Sequence, residues 1–433
     1  MLVRLLAMVA ILFSCTVSAQ TETVTLVYSG NQDGELEPCG CSPEGDLGGI
    51  LRQAATLHQL RQETPNMFTV SSGGLVASAS PLDQLTGEYI FKGYAQLKYD
   101  AIGLQWNDLA YGQSFVHSDS LPWVSSNHSA DGFMFSQQVE RGGQVLAVFS
   151  WLDAARNPNA AMHEGELEVS NNTAKLAQAL KQARDSGALT LLATSMGLAQ
   201  AKETLPLQLV DILIIRSAYE IYGEPQKVGD TLVLQPGSRG MRLGHVTLSL
   251  NDEGRIDNYE HKAISMPNTI LDHAPLQPWY DEYNDKVRES YKKRVALRKA
   301  RETGQSPFTG EETCQSCHTE EHKVWSGSLH SDAFYKLEEV NKAFDPNCIK
   351  CHTVGFETDG GFIDIDATPN LMNVQCENCH GAGRAHAEAG GSKRLPNSDW
   401  TPEQVCAQCH VQKHSPSFKF ESYWPRIKHG AMK

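Results

Sequence analysis

Cys314-Gln315-Ser316-Cys317-His318 opens a series that recurs as Cys348-Ile349-Lys350-Cys351-His352, Cys376-Glu377-Asn378-Cys379-His380 and Cys406-Ala407-Gln408-Cys409-His410. A Cys-x-x-Cys-His run is the attachment pattern of a c-type haem, in which both thiols bond to the porphyrin and the imidazole binds its iron. A zinc knuckle or a disulfide explains one such run, but four runs each closed by their own histidine read as four covalently bound haem c groups. From each of these histidines to the next is only 28 to 34 residues. Haems packed that densely lie close enough for electrons to hop between them, so the chain reads first as an electron carrier.

The start of the chain agrees, since haem c is attached outside the cytoplasm. Arg4 precedes an apolar run, Leu5 to Phe13, and Val17-Ser18-Ala19 forms a small-residue cleavage site, so residues 1–19 read as a signal peptide. A periplasmic or extracellular location follows. Leu12-Phe13-Ser14-Cys15 offers a rival site with the form of a lipoprotein box, whose use would make Cys15 a lipid anchor. No later apolar stretch reaches membrane length, so no transmembrane segment is expected. The net charge of -14 and the lack of a basic stripe argue against nucleic acid as a partner. Redox partner proteins are the expected partners, and acidity suits the steering of a basic one.

From Thr23 to about His261 the pattern changes. Short apolar runs such as Val24 to Val27, Val145 to Val148, Leu189 to Leu192 and Ile212 to Ile215 read as buried strands, and Gly49 to Gln62 and Ala174 to Asp185 as helices. That alternation predicts a layered α/β domain over residues 20–265. The loops that follow these strands carry a resemblance. Ser29-Gly30-Asn31-Gln32-Asp33-Gly34, the stretch from Tyr99-Asp100 through Asn107-Asp108 to Tyr111-Gly112, Ala193 to Gly197, Ile215 to Tyr219 and Gln235 to Gly240 are similar to the calcineurin-like metallophosphoesterases, above all the 5'-nucleotidase group.

The resemblance implies a two-metal hydrolase, and the residues depart from it. Asn31 and Asp33 stand where the family has Asp and His, Trp106 and Asn107 where it has Asn and His, and Ser195, Ser217 and Tyr219 replace further ligands. Gly73 or Gly74 takes the place of the bridging Asp. Two-metal hydrolysis needs convergent ligands, so a metallophosphoesterase-like pseudoenzyme is expected, used for docking or scaffolding. Asn31, Asp33 and Asp108 keep oxygen ligands that a hard cation accepts. Pro38-Cys39-Gly40-Cys41 follows the first strand as a redox loop, open to three readings: a structural disulfide, a thiol pair that exchanges with a substrate sulfur or a haem, or a soft-metal site.

Residues 266–308 read as a helical linker. Pro278 starts a helix that runs to Arg301, with Tyr283, Val287, Tyr291 and Val295 on one face, and Thr303 to Gly310 as a hinge. Residues 309–433 then form a mostly helical or irregular tetrahaem cytochrome c domain. His318, His352, His380 and His410 are the proximal iron ligands, and His322, His330, His386, His414 and His429 are the other candidates. Trp325-Ser326-Gly327-Ser328-Leu329-His330, Cys351 to Phe356, and Val374 through Arg384 to His386 resemble the tetrahaem cytochromes of the hydroxylamine pathway. That resemblance implies that His330 reaches the third haem and His386 the first, with His429 or His414 completing the fourth. It also implies one five-coordinate haem, here at His352 unless Met372 or a spare histidine closes it. Electron transfer is the leading expectation. An oxidoreductase acting on a small nitrogen or sulfur compound at an open haem or at Cys39/Cys41 is the first alternative. A homo-oligomeric extracellular haem array is the second.

Overall fold

The computed structural model describes residues 22–39, 46–80, 82–116, 121–158, 167–216, 223–302, 304–411, 414–415 and 417–430. The proposed leader, Cys15, Cys41, Ser217 and Tyr219 lie outside them.

Two six-stranded sheets build the amino-terminal region. In the first, Thr23–Ser29 runs parallel to Phe68–Ser71, with Leu26 opposite Phe68, and antiparallel to Arg242–Leu250, with Leu26 opposite Val246. In the second, Gln144–Trp151, Leu189–Thr194, Ile212–Ile215 and Thr231–Leu234 are mutually parallel neighbours. Side chains alternate between sheet faces with a period of two. Leu26 and Tyr28 therefore enter a core between the sheets with Leu191 and Ile214, while Val27 turns outward to the helices Ile50–Glu63 and Asp83–Leu97. Leu192 and Leu213 likewise turn outward to meet Leu176 and Leu180 of the helix Ala174–Asp185. Both faces of the central strands are covered, which is why they read as continuous apolar runs.

The helix Gln277–Arg301 joins the two regions. In its first half Trp279 Nε1 donates to the Tyr89 carbonyl at 3.0 Å, and Tyr283 Oη meets Thr86 Oγ1 at 3.1 Å. In its second half Tyr291 Oη donates to the Ile363 carbonyl at 2.9 Å and Arg298 Nη1 to the Phe362 carbonyl at 2.7 Å. The aromatic stripe at four-residue spacing is thus a double docking face. Beyond it the expected hinge is strapped down: Gly310 N donates to Glu377 Oε2 at 2.9 Å, and Arg384 Nη2 to the Phe308 carbonyl at 2.8 Å.

The carboxyl-terminal region is a succession of short helices. Its described residues hold no strand, only an isolated bridge between Thr353 and Met372. No helix among the described residues is long and apolar enough to cross a membrane.

Candidate functional site: paired histidines and a cleft of altered ligands

Two of the four Cys-x-x-Cys-His runs sit on helices and the fourth begins at the last residue of one, and the starts of all three helices are capped locally. Asp345 accepts from Asn347 N at 2.9 Å ahead of Pro346, Gln375 forms a capping box with Asn378, and Thr401 forms one with Gln404 ahead of Pro402. Side-chain caps and proline in the first turn fix where a helix begins. The first run borrows its start from the third, since Glu311 N donates to Gln375 Oε1 at 2.8 Å. A single helical turn then puts Cys, Cys and His at i, i+3 and i+4 on one face. None of the eight cysteines is in a disulfide.

Four of the histidines turn Nδ1 back onto the protein. His352 meets the Ala333 carbonyl at 2.5 Å, His386 that of Lys393 at 2.5 Å, His429 that of Ile427 at 2.9 Å, and His410 the Ser415 hydroxyl at 3.2 Å. A contact with a carbonyl, as at His352, His386 and His429, makes Nδ1 the donor and leaves Nε2 for a metal. Burial also pushes His330, His352, His380 and His410 below the usual imidazole pKa, toward the neutral form that binds metal.

The ring pairs show what the sequence could not. His318 faces His386 at 6.3 Å between centres and 25° between planes, His330 faces His410 at 6.2 Å, and His380 faces His429 at 5.9 Å. An iron held between two imidazoles, about 2 Å from each nitrogen and roughly 1 Å more to each ring centre, needs a spacing of about 6 Å. The donor set and the gap both fit a haem iron. His386 stands opposite the first motif as expected. His330 does not reach the third motif but faces the fourth, and His429 serves the third rather than the fourth, because the chain after His410 folds back over His380. No described histidine pairs in this way with His352. His322 instead contacts Glu311, and Met372 packs beside the apolar cluster of Phe334 and Phe362.

Neighbouring motifs come close at their cysteines: Cys314 and Cys376 shift one another's thiol pKa, as do Cys351 and Cys409, and burial followed by the nearness of Cys406 pushes the Cys379 thiol up. Glu377, a position of the third run given no role in the sequence reading, is buried and accepts from Thr309 N, Gly310 N and Gly383 N. Its local signal was absent, because its partners lie up to 68 residues away.

In the amino-terminal region the loops after the strands enclose a cleft of about 750 Å³ lined by Asn31, Asp33, Trp106, Asp153, Arg156 and Arg216 among others. The expected cation ligands are otherwise engaged. Asp108 accepts from Gly74 N at 2.8 Å, Leu75 N at 2.6 Å and Gln105 N at 3.0 Å, and Asn31 Oδ1 accepts from Gln105 Nε2 at 3.0 Å. Burial raises both Asp33 and Asp108 to a pKa of about 6. A Cβ on Gly73 would meet the Gly103 carbonyl oxygen at 2.0 Å, so this backbone has no room for a bridging carboxylate. Among the described residues no group of three or more His, Cys, Asp or Glu is placed to hold a metal ion. Ser195 Oγ accepts from Asp153 N at 2.9 Å, a structural contact at a family ligand position. Of the Cys39/Cys41 loop, the backbone of Pro38–Cys39 pairs with Leu47–Gly48.

Comparison with known proteins divides at the same place. Residues 313–381 match the family described as cytochrome c554 and c-prime. Cytochrome c-554 of Nitrosomonas europaea is 30% identical over 145 residues, a match that takes in 26% of this chain and 62% of that protein. The amino-terminal region is similar in fold to two solved structures from Thermus thermophilus. One is a 5'-nucleotidase precursor, with a TM-score of 0.52, 15% identity, and coverage of 74% of this chain and 68% of that one. The other is the sulfate thiohydrolase SoxB in complex with glycerol, with a TM-score of 0.52, 16% identity and 61% coverage of each chain. The chain therefore joins an amino-terminal region similar in fold to these phosphoesterase structures to a carboxyl-terminal region that matches a cytochrome c554-type haem domain over part of its length.

Proposed function

We propose that this chain is an exported tetrahaem c-type cytochrome that relays electrons, with a non-hydrolytic phosphoesterase-like domain that docks or holds the haem domain. Its units would be a leader over residues 1–19, the phosphoesterase-like domain over 20–265, a helical linker over 266–308 and the haem domain over 309–433. Haem c, when bound, supplies a one-electron iron couple. The protein's part would be to hold three of the irons between fixed pairs of imidazoles, so that their coordination does not change as electrons pass.

The observation that carries the reading is the set of three facing histidine pairs at about 6 Å, His318 with His386, His330 with His410 and His380 with His429. Covalent attachment at Cys314, Cys317, Cys348, Cys351, Cys376, Cys379, Cys406 and Cys409 is tested by intact mass. Four haem additions are expected, and fewer would overturn the tetrahaem reading.

A second reading is favoured by His352, whose ring is anchored on Nδ1 and faces no second imidazole among the described residues. An iron held there with an open position would bind a small nitrogen compound and could act on it. Low-temperature EPR before and after nitric oxide separates the two. One high-spin haem that responds supports chemistry at His352, and four unresponsive low-spin haems leave a relay alone.

A further inference from the structure

The three facing histidine pairs offer the same two ligands, so axial identity does not set their irons apart, and the charge and burial around each run must. Between the cysteines of each run stand two residues close to both attachment points. They are neutral in the first and fourth runs, whereas the second has Lys350 and the third has Glu377. Lys350 is exposed, where water and salt screen its charge. Glu377 is only 4% exposed, so its charge is screened far less.

Glu377 Oε1 accepts from Gly383 N at 2.7 Å and Oε2 from Gly310 N at 2.9 Å, and Thr309 N lies 3.1 Å from both oxygens. Both oxygens accept and neither gives, the pattern of an ionised carboxylate. The carbonyl oxygen of the same Gly310 lies 3.6 Å from Cys314 Sγ, and Cys376 precedes Glu377 in the chain, so the carboxylate stands between the first and third runs. Its charge is felt at both thiols, after the larger effects of the thiols on one another and of burial. No cation pairs with it among the described residues: Arg384 gives Nε and Nη2 to the carbonyls of Ser306 and Phe308 and approaches Glu388 at 3.9 Å. Asp345, the other buried carboxylate among the described residues of the haem domain, caps the helix of the second run and lies near the charge of Lys342. Oxidised iron carries one more positive charge than reduced iron, so a buried anion beside it favours the oxidised state. We propose that Glu377 is a redox-tuning residue shared by the first and third haems, a fixed negative charge that lowers both reduction potentials and so biases electrons toward the second and fourth. The proposal rests on the tetrahaem relay reading.

The test is a redox titration of the full-length haem-loaded protein followed by absorbance and EPR. The first haem is assigned by the low-spin signal lost in His386→Ala and the third by that lost in His429→Ala. Glu377→Gln keeps an acceptor oxygen and removes the charge. The waves of the first and third haems are expected to rise by about tenfold in the reduction equilibrium, or about 59 mV for one electron, while the other two hold. Glu377→Asp keeps the charge but shortens the reach to the backbone donors, so its potentials should stay near those of the unaltered protein although the domain is less stable. Unmoved waves in Glu377→Gln, a rise shared alike by all four, or an equal rise in Glu377→Asp overturns the proposal, the last because it would mark a role in shape rather than charge. Intact mass of the same sample tests the relay reading separately. Fewer than four haem additions would overturn the tetrahaem reading, whereas the shift at the first and third runs is read whatever the total.

Discussion

Residues 23–265 supply most of three large clusters of buried apolar side chains, whereas residues 309–430 build one cluster of only six buried members, Phe334, Leu337, Ile349, Val354, Phe362 and Leu371. Of the nine large apolar residues exposed among the described residues, seven lie in the second region, among them Leu329 at 83% and Val340 at 64%. One region has a core made of protein. The other has apolar surface around eight thiols and paired imidazoles, arranged for a core that covalent porphyrins would complete. A fold need not bury its own side chains if a bound group supplies the apolar volume.

The largest effect should come from withholding that volume. Expressed without haem attachment, the protein should lose residues 309–430 to limited proteolysis while residues 23–265 resist and keep their circular dichroism. A protease-resistant carboxyl region without haem would break the comparison.

Single ligands sharpen it next. His330→Ala should convert one low-spin EPR signal to high-spin and perturb the haem attached at Cys406 and Cys409, and His429→Ala should do the same for the haem at Cys376 and Cys379. If His330→Ala perturbed the latter instead, the pairing of His330 with His410 would be wrong.

Polar groups substitute for a core in the second region, and Glu377 is the clearest instance. Glu377→Gln should cost about 2 kcal/mol, read as a lowered denaturation midpoint of the haem domain, because buried backbone donors lose a charged acceptor. Between the regions, Lys342 reaches Glu37 and donates to Asn284 Oδ1 at 2.7 Å. Lys342→Met should cost roughly 1 to 2 kcal/mol, since the pair is partly buried. A double-mutant cycle with Glu37→Gln should show coupling.

The last effect belongs to the first region and shows only as a dependence on pH. Asp33 has its pKa raised from 3.8 to about 6 by burial. The folded state then holds a proton that the unfolded chain has already released, so the stability from that proton is present below about pH 4 and is lost as pH rises toward 6. Asp33→Asn should flatten that slope in urea denaturation midpoints measured across this window.

The layered α/β region was legible because sheets covered on both faces demand apolar runs, and Leu189 to Leu192 and Ile212 to Ile215 supply them. The linker helix was legible from Tyr283, Val287 and Tyr291, although its docking onto both regions was not. The loss of metal ligands could be read from Asn31, Gly73 and Ser195. That Asp108 had turned onto the backbone nitrogens of Gly74, Leu75 and Gln105 could not, since those donors reach it only once the chain has folded.

The sequence by itself determined the four Cys-x-x-Cys-His runs and the histidine expected to be proximal in each, because thioether and iron bonding at one haem face would require residues within a single helical turn. Only the tertiary structure decided the partners across each gap. The sequence reading offered His330, His386 and either His429 or His414 as distal ligands, yet an axial partner arrives from a separate segment, and its identity depends on where the chain folds in three dimensions. His410 therefore faces His330, 80 residues before it, while His429 returns to His380.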